Sequence, residues 1–302
     1  MSFGILAFGA YIPRYRLARR AIAEANGWLN PALKAQGKGE RAMCNWDEDP
    51  VTMAVEAARD ALIGRDRQTI ADFRFASTTF PFLDRLNAGV VAEALSLSDE
   101  VAALDVTATQ RAGTSALASA LAGSTETLIV AADKRHGKAA SPVEMAAGDG
   151  AAAILVGNGE PAARLLASVT RAADFVDHYR TPKSEYDYQW EERWIRDAGY
   201  LPIVVPLIKR CLDKAGLKAA DVTHFCMPAT LPRVSATVAK AAGLPESAVR
   251  DNLHAVCGEA GAAHHHPDQQ IPGGVLRPDV HQSGDVDQHH CCHHPVQRRQ
   301  EL

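Results

Sequence analysis

Short apolar runs alternate along the chain with longer stretches in which apolar residues recur at helical spacing, the pattern of an α/β protein. Strands are predicted at 4–12 (GILAFGAYI), 73–79 (FRFASTT), 102–107 (AALDVT), 127–133 (TLIVAAD) and 151–158 (AAAILVGN). Helices are predicted at 51–62, 88–95 and 112–122, with a short helical turn near Glu144. Asp49 and Pro50 stand just before the run VTMA. An acidic residue there favours the helix dipole and proline is tolerated in a first turn, so both mark a helix start.

A second α/β block follows, with a strand at 165–175, an amphipathic helix at 201–215, a strand at 223–229 (THFCMPA) and a helix at 234–242 closed by Gly243. The pattern divides the chain into 1–160, 161–263 and a remainder, 264–302. Between the blocks lies DHYRTPKSEYDYQWEERWIRDAGY (177–200). Its charge density reads as a solvated excursion, while the interleaved Tyr179, Tyr186, Tyr188, Trp190 and Trp194 read as a ligand or partner contact.

From His264 the periodicity vanishes. The last 39 residues hold eight of the twelve histidines and include the cluster HHCCHH. Three readings stand. Enrichment in His, Pro, Gln and Arg is what a GC-rich gene yields when translated out of frame, and codons for HHPDQQ read one nucleotide later can encode TTLIS. A disordered or tag-like tail has the same lack of periodicity. The His/Cys cluster offers zinc ligands.

With 302 residues, 47% of them apolar, the chain is long enough for one large or two medium domains. A formal net charge of −4, without basic blocks, gives no sign of a nucleic-acid partner. The six cysteines form no CxxC pair and read as buried thiols of a reducing compartment. The apolar start lacks a basic n-region and reads as a first strand, and no apolar run reaches membrane-spanning length, so a cytoplasmic protein with no membrane partner is expected.

The stretch DVTATQRAGTSAL (105–117) takes a strand through a polar bend into an Ala-rich helix. With GAYIPRYRL (9–17), DEDPVTMAVEAARDAL (47–62), FASTTFPF (75–82), GDGAAAILVG (148–157) and NLHAVCGEAGAA (252–263), it resembles the thiolase superfamily, in the branch of 3-hydroxy-3-methylglutaryl-CoA synthase and ketoacyl synthase III. The resemblance implies a thiolase-like α/β fold of two similar halves, each a mixed sheet with covering helices, the second half truncated at about residue 263. The bend after LDVT is then the nucleophile turn, where a helix N-terminus helps lower a thiol's pKa and hold developing negative charge.

In family members with synthase activity a Cys takes the acyl group, a Glu is the general acid/base and a His from the second half assists. By motif, these positions fall at Gln110, Thr78 and Cys226, and Asn252 lies where relatives carry an active-site Asn. An amide nitrogen is not nucleophilic, so Gln110 forms no acyl-enzyme. The resemblance implies that a ketosynthase-like site with Gln at this turn no longer condenses but can still polarise a thioester carbonyl and favour decarboxylation of a malonyl group. The expected site is a pocket between Thr78, Gln110, Cys226 and Asn252, with amides of 109–112 facing an oxyanion. Arg14 and Arg16 are candidates for a CoA phosphate, against ordinary solvated surface for the cluster they form with Arg19 and Arg20. Cys226 reads as a displaced nucleophile or a buried strand thiol, Cys257 as a reactive loop thiol or an inert one, and His254 as a site or a core residue.

The implied ligand is acyl-CoA or an acyl-carrier thioester, with no resident cofactor and no metal. Two functions follow: an acyl-CoA-handling, synthase-like protein with a degenerate site, or a non-catalytic subunit working with a small zinc-ribbon/OB-fold acyl-CoA-binding partner. The family implies a homodimer through a first-half edge strand such as AALDVT. A glycine-rich turn between the last two strands falls beyond residue 263. Sequencing the coding DNA from codon 255 separates the readings of the tail: out-of-frame translation predicts that the alternative frame encodes strand, glycine-rich turn and strand, and an alternative frame without them removes that reading.

Overall fold

The computed structural model describes residues 2–229, 231 and 233–263. The first part of the chain runs through β1 (Ser2–Tyr11), β2 (Tyr15–Ala18), α1 (Arg19–Asn26), β3 (Glu40–Met43), α2 (Pro50–Ala61), β4 (Asp72–Ala76), α3 (Asn87–Leu95) and β5 (Ala102–Val106). It continues through α4 (Ala112–Leu121), β6 (Thr127–Asp133), α5 (Pro142–Ala146) and β7 (Gly150–Gly159). Five of the strands form one mixed sheet in the order β1-β7-β6-β4-β5, with β4 parallel to β5 and β6, and β7 antiparallel to β6 and β1.

All seven residues of β6 are buried, which is why its sequence is a continuous apolar run rather than an alternation. Leu128, Val130 and Ala132 pack with Met53, Ala54 and Val91 of α2 and α3 on one face. On the other, Ile129 meets Ala116 and Ala120 of α4. Alanines along both helices let backbones approach the sheet closely. Beside α2, a Cβ on Gly9 would lie 2.3 Å from the Ala61 nitrogen.

All five strands expected before residue 160 form within a few residues of their predicted bounds. The hairpin of β2 and β3, with α1 between them, was not expected; its strands are four residues each and half exposed, too short to leave a periodic signal. Asp105 caps α3: its Oδ1 accepts from the Ala88 amide (2.7 Å) and its Oδ2 from the Asn87 amide and side chain (both 2.9 Å). β5 is the outer edge of the sheet, with Leu104 exposed.

In the second block both helices form at their predicted bounds, 201–215 and 234–242, and the strands depart from expectation. A two-stranded hairpin of β8 (His178–Tyr179) and β9 (Tyr188–Gln189) occupies the aromatic-acidic stretch. It is followed by α6 (Glu192–Trp194), a π-helical turn at Ile195–Tyr200, α7 (Leu201–Ala215) and α8 (Val234–Ala242). Pro202 has no N–H for the carbonyl one turn back, which accounts for the widened turn before α7. The strand predicted at 165–175 is not formed, and 223–229 is reduced to one parallel bridge, Phe225 with Val249. A strand needs partners for its backbone groups, and among the described residues no strand lies alongside either segment.

Residues 255–263 run back across the first half. Glu40 and Ala42 donate to the carbonyls of Ala255 (2.9 Å) and Cys257 (2.7 Å), and Gly148 and Glu259 are joined to each other's segments by two 2.8 Å bonds. The tail readings for 264–302, including HHCCHH, fall outside the described residues. Among the described residues no helix is long and apolar enough to cross a membrane.

The start of α2 is a capping box, with Asp49 Oδ1 accepting from the Thr52 amide and Thr52 Oγ1 from the Asp49 amide, both at 2.8 Å. Asp49→Ala is expected to cost about 1 kcal/mol in urea unfolding; an unchanged midpoint would show that the cap contributes nothing.

Candidate active site at the Gln110 turn

Strand β5 ends at Val106, and the chain reaches α4 through a bend in which Ala108 takes φ +70, a left-handed conformation that side chains disfavour. Gln110 is thereby placed beneath an open cavity of about 900 Å³. Phe175, Ile195, Ile203, Val204 and Met227 supply its apolar walls, and Gln110, His178 and Glu259 its polar end. Two of the amides expected to face an oxyanion are engaged within the turn: the Ala112 amide donates to the Thr109 carbonyl (3.0 Å) and the Arg111 amide to Thr109 Oγ1 (3.2 Å).

The hydrogen-bond network assigns the orientation of the Gln110 amide. Its oxygen accepts from Arg135 Nη1 (2.7 Å) and Nη2 (3.0 Å) and from His178 Nε2 (3.0 Å). The amide NH2 is therefore the end turned away from these donors. His178 Nδ1 in turn lies 2.8 Å from Asp177 Oδ1. Burial works against the Asp177 carboxylate, but the hydrogen bond and charge of His178 hold it below the usual range.

Arg135 is the centre of this arrangement. It is 6% exposed, and its guanidinium donates to Glu259 Oε2 and Asp187 Oδ2, both at 2.6 Å. Burial opposes its charge, yet Glu259, Asp187 and Asp133 outweigh that and hold it above the ordinary arginine range. Asp187 also accepts from Arg180 Nη1 (3.0 Å), and Arg180 Nη2 donates to the Thr78 carbonyl. One step further in, Asp133 at the end of β6 receives five hydrogen bonds. Oδ1 accepts from Ser77 Oγ (2.9 Å), the Thr78 amide (2.7 Å) and Thr79 Oγ1 (3.0 Å), and Oδ2 from Thr78 Oγ1 (3.1 Å) and the Ala262 amide (2.7 Å). The Gly-Asp-Gly motif is a strut of the same assembly: Asp149 accepts from the Cys44 amide (2.9 Å) and the Arg135 amide (3.1 Å).

Of the four residues expected to share a pocket, Gln110 lines the cavity. Thr78 belongs to the Asp133 cage behind it. Cys226 is exposed beside the lining residue Met227, and partial desolvation pushes its thiol up against the opposing charge of Arg250. Asn252 turns its Oδ1 to the His254 amide (3.2 Å) in a loop outside the lining. Cys257 is buried, and that burial raises its thiol. Arg16 donates to the Pro13 carbonyl and lies 3.7 Å from Glu40, Arg14 is exposed, and Arg19 is buried with Nε on the Met145 carbonyl (2.7 Å). Arg135, His178, Asp187 and Glu259 were not picked out from the sequence. Two signals were available: Arg135 closely follows the apolar run LIVAA (128–132), and Asp187 sits among the aromatics that the sequence did flag. Among the described residues no cluster of His, Cys, Asp and Glu is arranged to hold a metal.

No family model matches the chain. It is 30% identical over 263 residues to the hydroxymethylglutaryl-CoA synthase of Caldivirga maquilingensis, covering 84% of this chain and 74% of that protein. To the hydroxymethylglutaryl-CoA synthase of Pyrococcus furiosus it is 29% identical over 259 residues, covering 83% and 72%. Among solved structures, 3-oxoacyl-(acyl carrier protein) synthase III of Pseudomonas aeruginosa superposes with TM-score 0.74 at 22% identity over 87% of each chain. An HMG-CoA synthase complexed with CoA superposes with TM-score 0.73 at 18% identity, over 87% of this chain and 72% of that one. The fold is thiolase-like.

Arg135→Met is expected to destabilise the protein by about 3–5 kcal/mol, because it strands Glu259 and Asp187 as buried charges. A loss below about 1 kcal/mol in denaturant unfolding would show the network to be loosely solvated.

Proposed function

The chain belongs to the hydroxymethylglutaryl-CoA synthase family, and from that premise we propose that it handles an acyl-CoA thioester without forming an acyl-enzyme at residue 110. The observation that supports this is the Gln110 carboxamide in the cavity lining, with its oxygen held by Arg135 and His178 and its NH2 end turned away from them. An amide cannot accept the acyl group, but it can donate to a thioester oxygen as that oxygen gains charge.

In the reaction proposed, a malonyl-type thioester loses CO2, the electron pair of the broken carbon–carbon bond enters the thioester enolate, and a proton then quenches the carbon. Gln110 donates to the enolate oxygen, and the His178–Asp177 pair lies at the same end of the cavity to deliver the proton. The ligand is acyl-CoA or an acyl-carrier thioester, and no resident cofactor or metal is required. The assembly proposed is a homodimer joined through the β5 edge.

The occupied Gln110 oxygen and the saturated ion pairs around it also suit a second reading, a non-catalytic subunit that presents acyl-CoA beside a zinc-ribbon/OB-fold partner. Incubation with malonyl-CoA separates the two. The enzymatic reading predicts acetyl-CoA formation, a loss of about 10²-fold in Gln110→Ala, and no acyl adduct in the intact mass. Turnover indifferent to Gln110→Ala, or an acyl adduct on the unaltered chain, would sink it. Acyl-CoA binding with no turnover, together with activation of the partner, would establish the second.

A further inference from the structure

Arg135 brings a charge to the site without reaching the cavity: Gln110 is a lining residue and Arg135 is not. All five hydrogens of its guanidinium are committed. Nε and Nη2 donate to Asp187 Oδ2 (3.2 and 2.6 Å), and Nη1 donates to Glu259 Oε2 (2.6 Å). The remaining Nη1 and Nη2 hydrogens converge on the Gln110 oxygen (2.7 and 3.0 Å), and His178 Nε2 adds a third bond to the same oxygen (3.0 Å). An arginine with no donor left over acts on a ligand only through what it holds. On the cavity side it holds one carboxamide.

The charges around this oxygen decide which acceptor fits there. Arg135 faces Glu259, Asp187 and Asp133. Asp187 also pairs with Arg180, and His178 with Asp177. Behind Arg135, Arg41 and Asp149 offset each other. Asp133, Asp177, Asp187 and Glu259 are thus set against two guanidiniums and one imidazole, and a fifth carboxylate at the position of the Gln110 oxygen would be repelled. A thiol at position 110 would leave two hydrogens of a buried guanidinium without an acceptor. A neutral carbonyl oxygen satisfies the donors and adds no charge. Bonds to that oxygen also draw electron density from the amide nitrogen, which makes its NH2 a stronger donor than a solvated amide.

We propose that Arg135 and His178 form a cradle selective for the oxygen of a neutral carboxamide, and that Arg135 is a positioning residue acting on the thioester only through the Gln110 amide it polarises. This role rests on the reading of Gln110 as donor to the thioester oxygen. The chain supplies the carboxamide itself. With that side chain cut away, a free primary amide fits the same three donors.

The test uses the full chain and reads the amide directly. With glutamine 13C-labelled at the side-chain carbonyl, the infrared difference between the unaltered chain and Gln110→Ala isolates the Gln110 stretch. The band is expected below the frequency of solvated glutamine side chains, and to move back towards it in His178→Phe, which removes one of the three bonds. In Gln110→Gly, saturation-transfer NMR is expected to detect bound acetamide at millimolar concentration, with acetate at least about tenfold weaker. A band at the solvated frequency, a band indifferent to His178→Phe, no acetamide bound to folded Gln110→Gly, or acetate bound as well as acetamide would overturn the cradle. If Gln110→Gly does not fold, the infrared measurements decide alone. Neither readout needs turnover. A lowered band with no acetyl-CoA formed would overturn decarboxylation and keep the cradle, and turnover with an unshifted band would do the reverse.

Discussion

The Asp133 carboxylate is the point on which the site depends. It stands at the end of the most buried strand, without exposure to water, and receives five hydrogen bonds from four residues. Desolvating a carboxylate is costly unless its oxygens are matched by donors, so its position dictates where the donors must go. Ser77, Thr78 and Thr79 are therefore drawn off the end of β4 into a tight loop. Ala262 is drawn in from the far end of the described chain, and the turn that delivers it needs Gly261: a Cβ there would lie 2.1 Å from Asp133 Oδ2, and φ is +58. With residue 262 fixed, Glu259 is brought against Arg135, and Arg135 against Gln110.

Around Arg135 the energetic balance is of another kind. Two carboxylates and one guanidinium, all nearly buried, gain Coulomb attraction that desolvation largely offsets. Such a network is poor evidence for stability and good evidence for geometry. Arg135, Asp187 and Glu259 come from three separate segments, and their planar, charge-assisted bonds allow little latitude in how those segments meet. The Gln110 oxygen is held by the same guanidinium. Its amide is thus oriented by groups that also hold the loop of 187 and the turn of 259 in place.

The first sheet was legible in the sequence because its strands are apolar runs bounded by polar bends, and burial on both faces leaves that mark. The second sheet was legible only as intention: 165–175 and 223–229 have strand-like composition, but composition does not supply the neighbour whose carbonyls a strand must bond. The turn carrying Gln110 was visible from its strand–bend–helix pattern. The charged residues around it were not. Arg135, Asp187 and Glu259 have the composition of solvated surface, and nothing local distinguishes a charge that faces water from one that meets its counter-ion 52 or 124 residues away. Thr78 was found for a catalytic role and serves as ligand to a buried carboxylate; Cys226 was found as a wall residue and lies at the surface.

The closing contacts join residues far apart in the chain: Asp133 to Ala262, 129 positions on, and Arg135 to Glu259, 124 positions on. Synthesis is vectorial. At ~5–20 residues per second, these buried charges emerge and wait roughly 6–25 s before these last partners exist. Through that interval the end of β6 carries a carboxylate and a guanidinium beside an apolar strand that has already begun to collapse, and the end-to-end loop that quenches them is among the slowest kinds to close. The nascent first half is thus a species with a defined lifetime on the ribosome, and its vulnerability to aggregation and proteolysis is set by the speed of translation through residues 134–263 as much as by the stability of the finished fold.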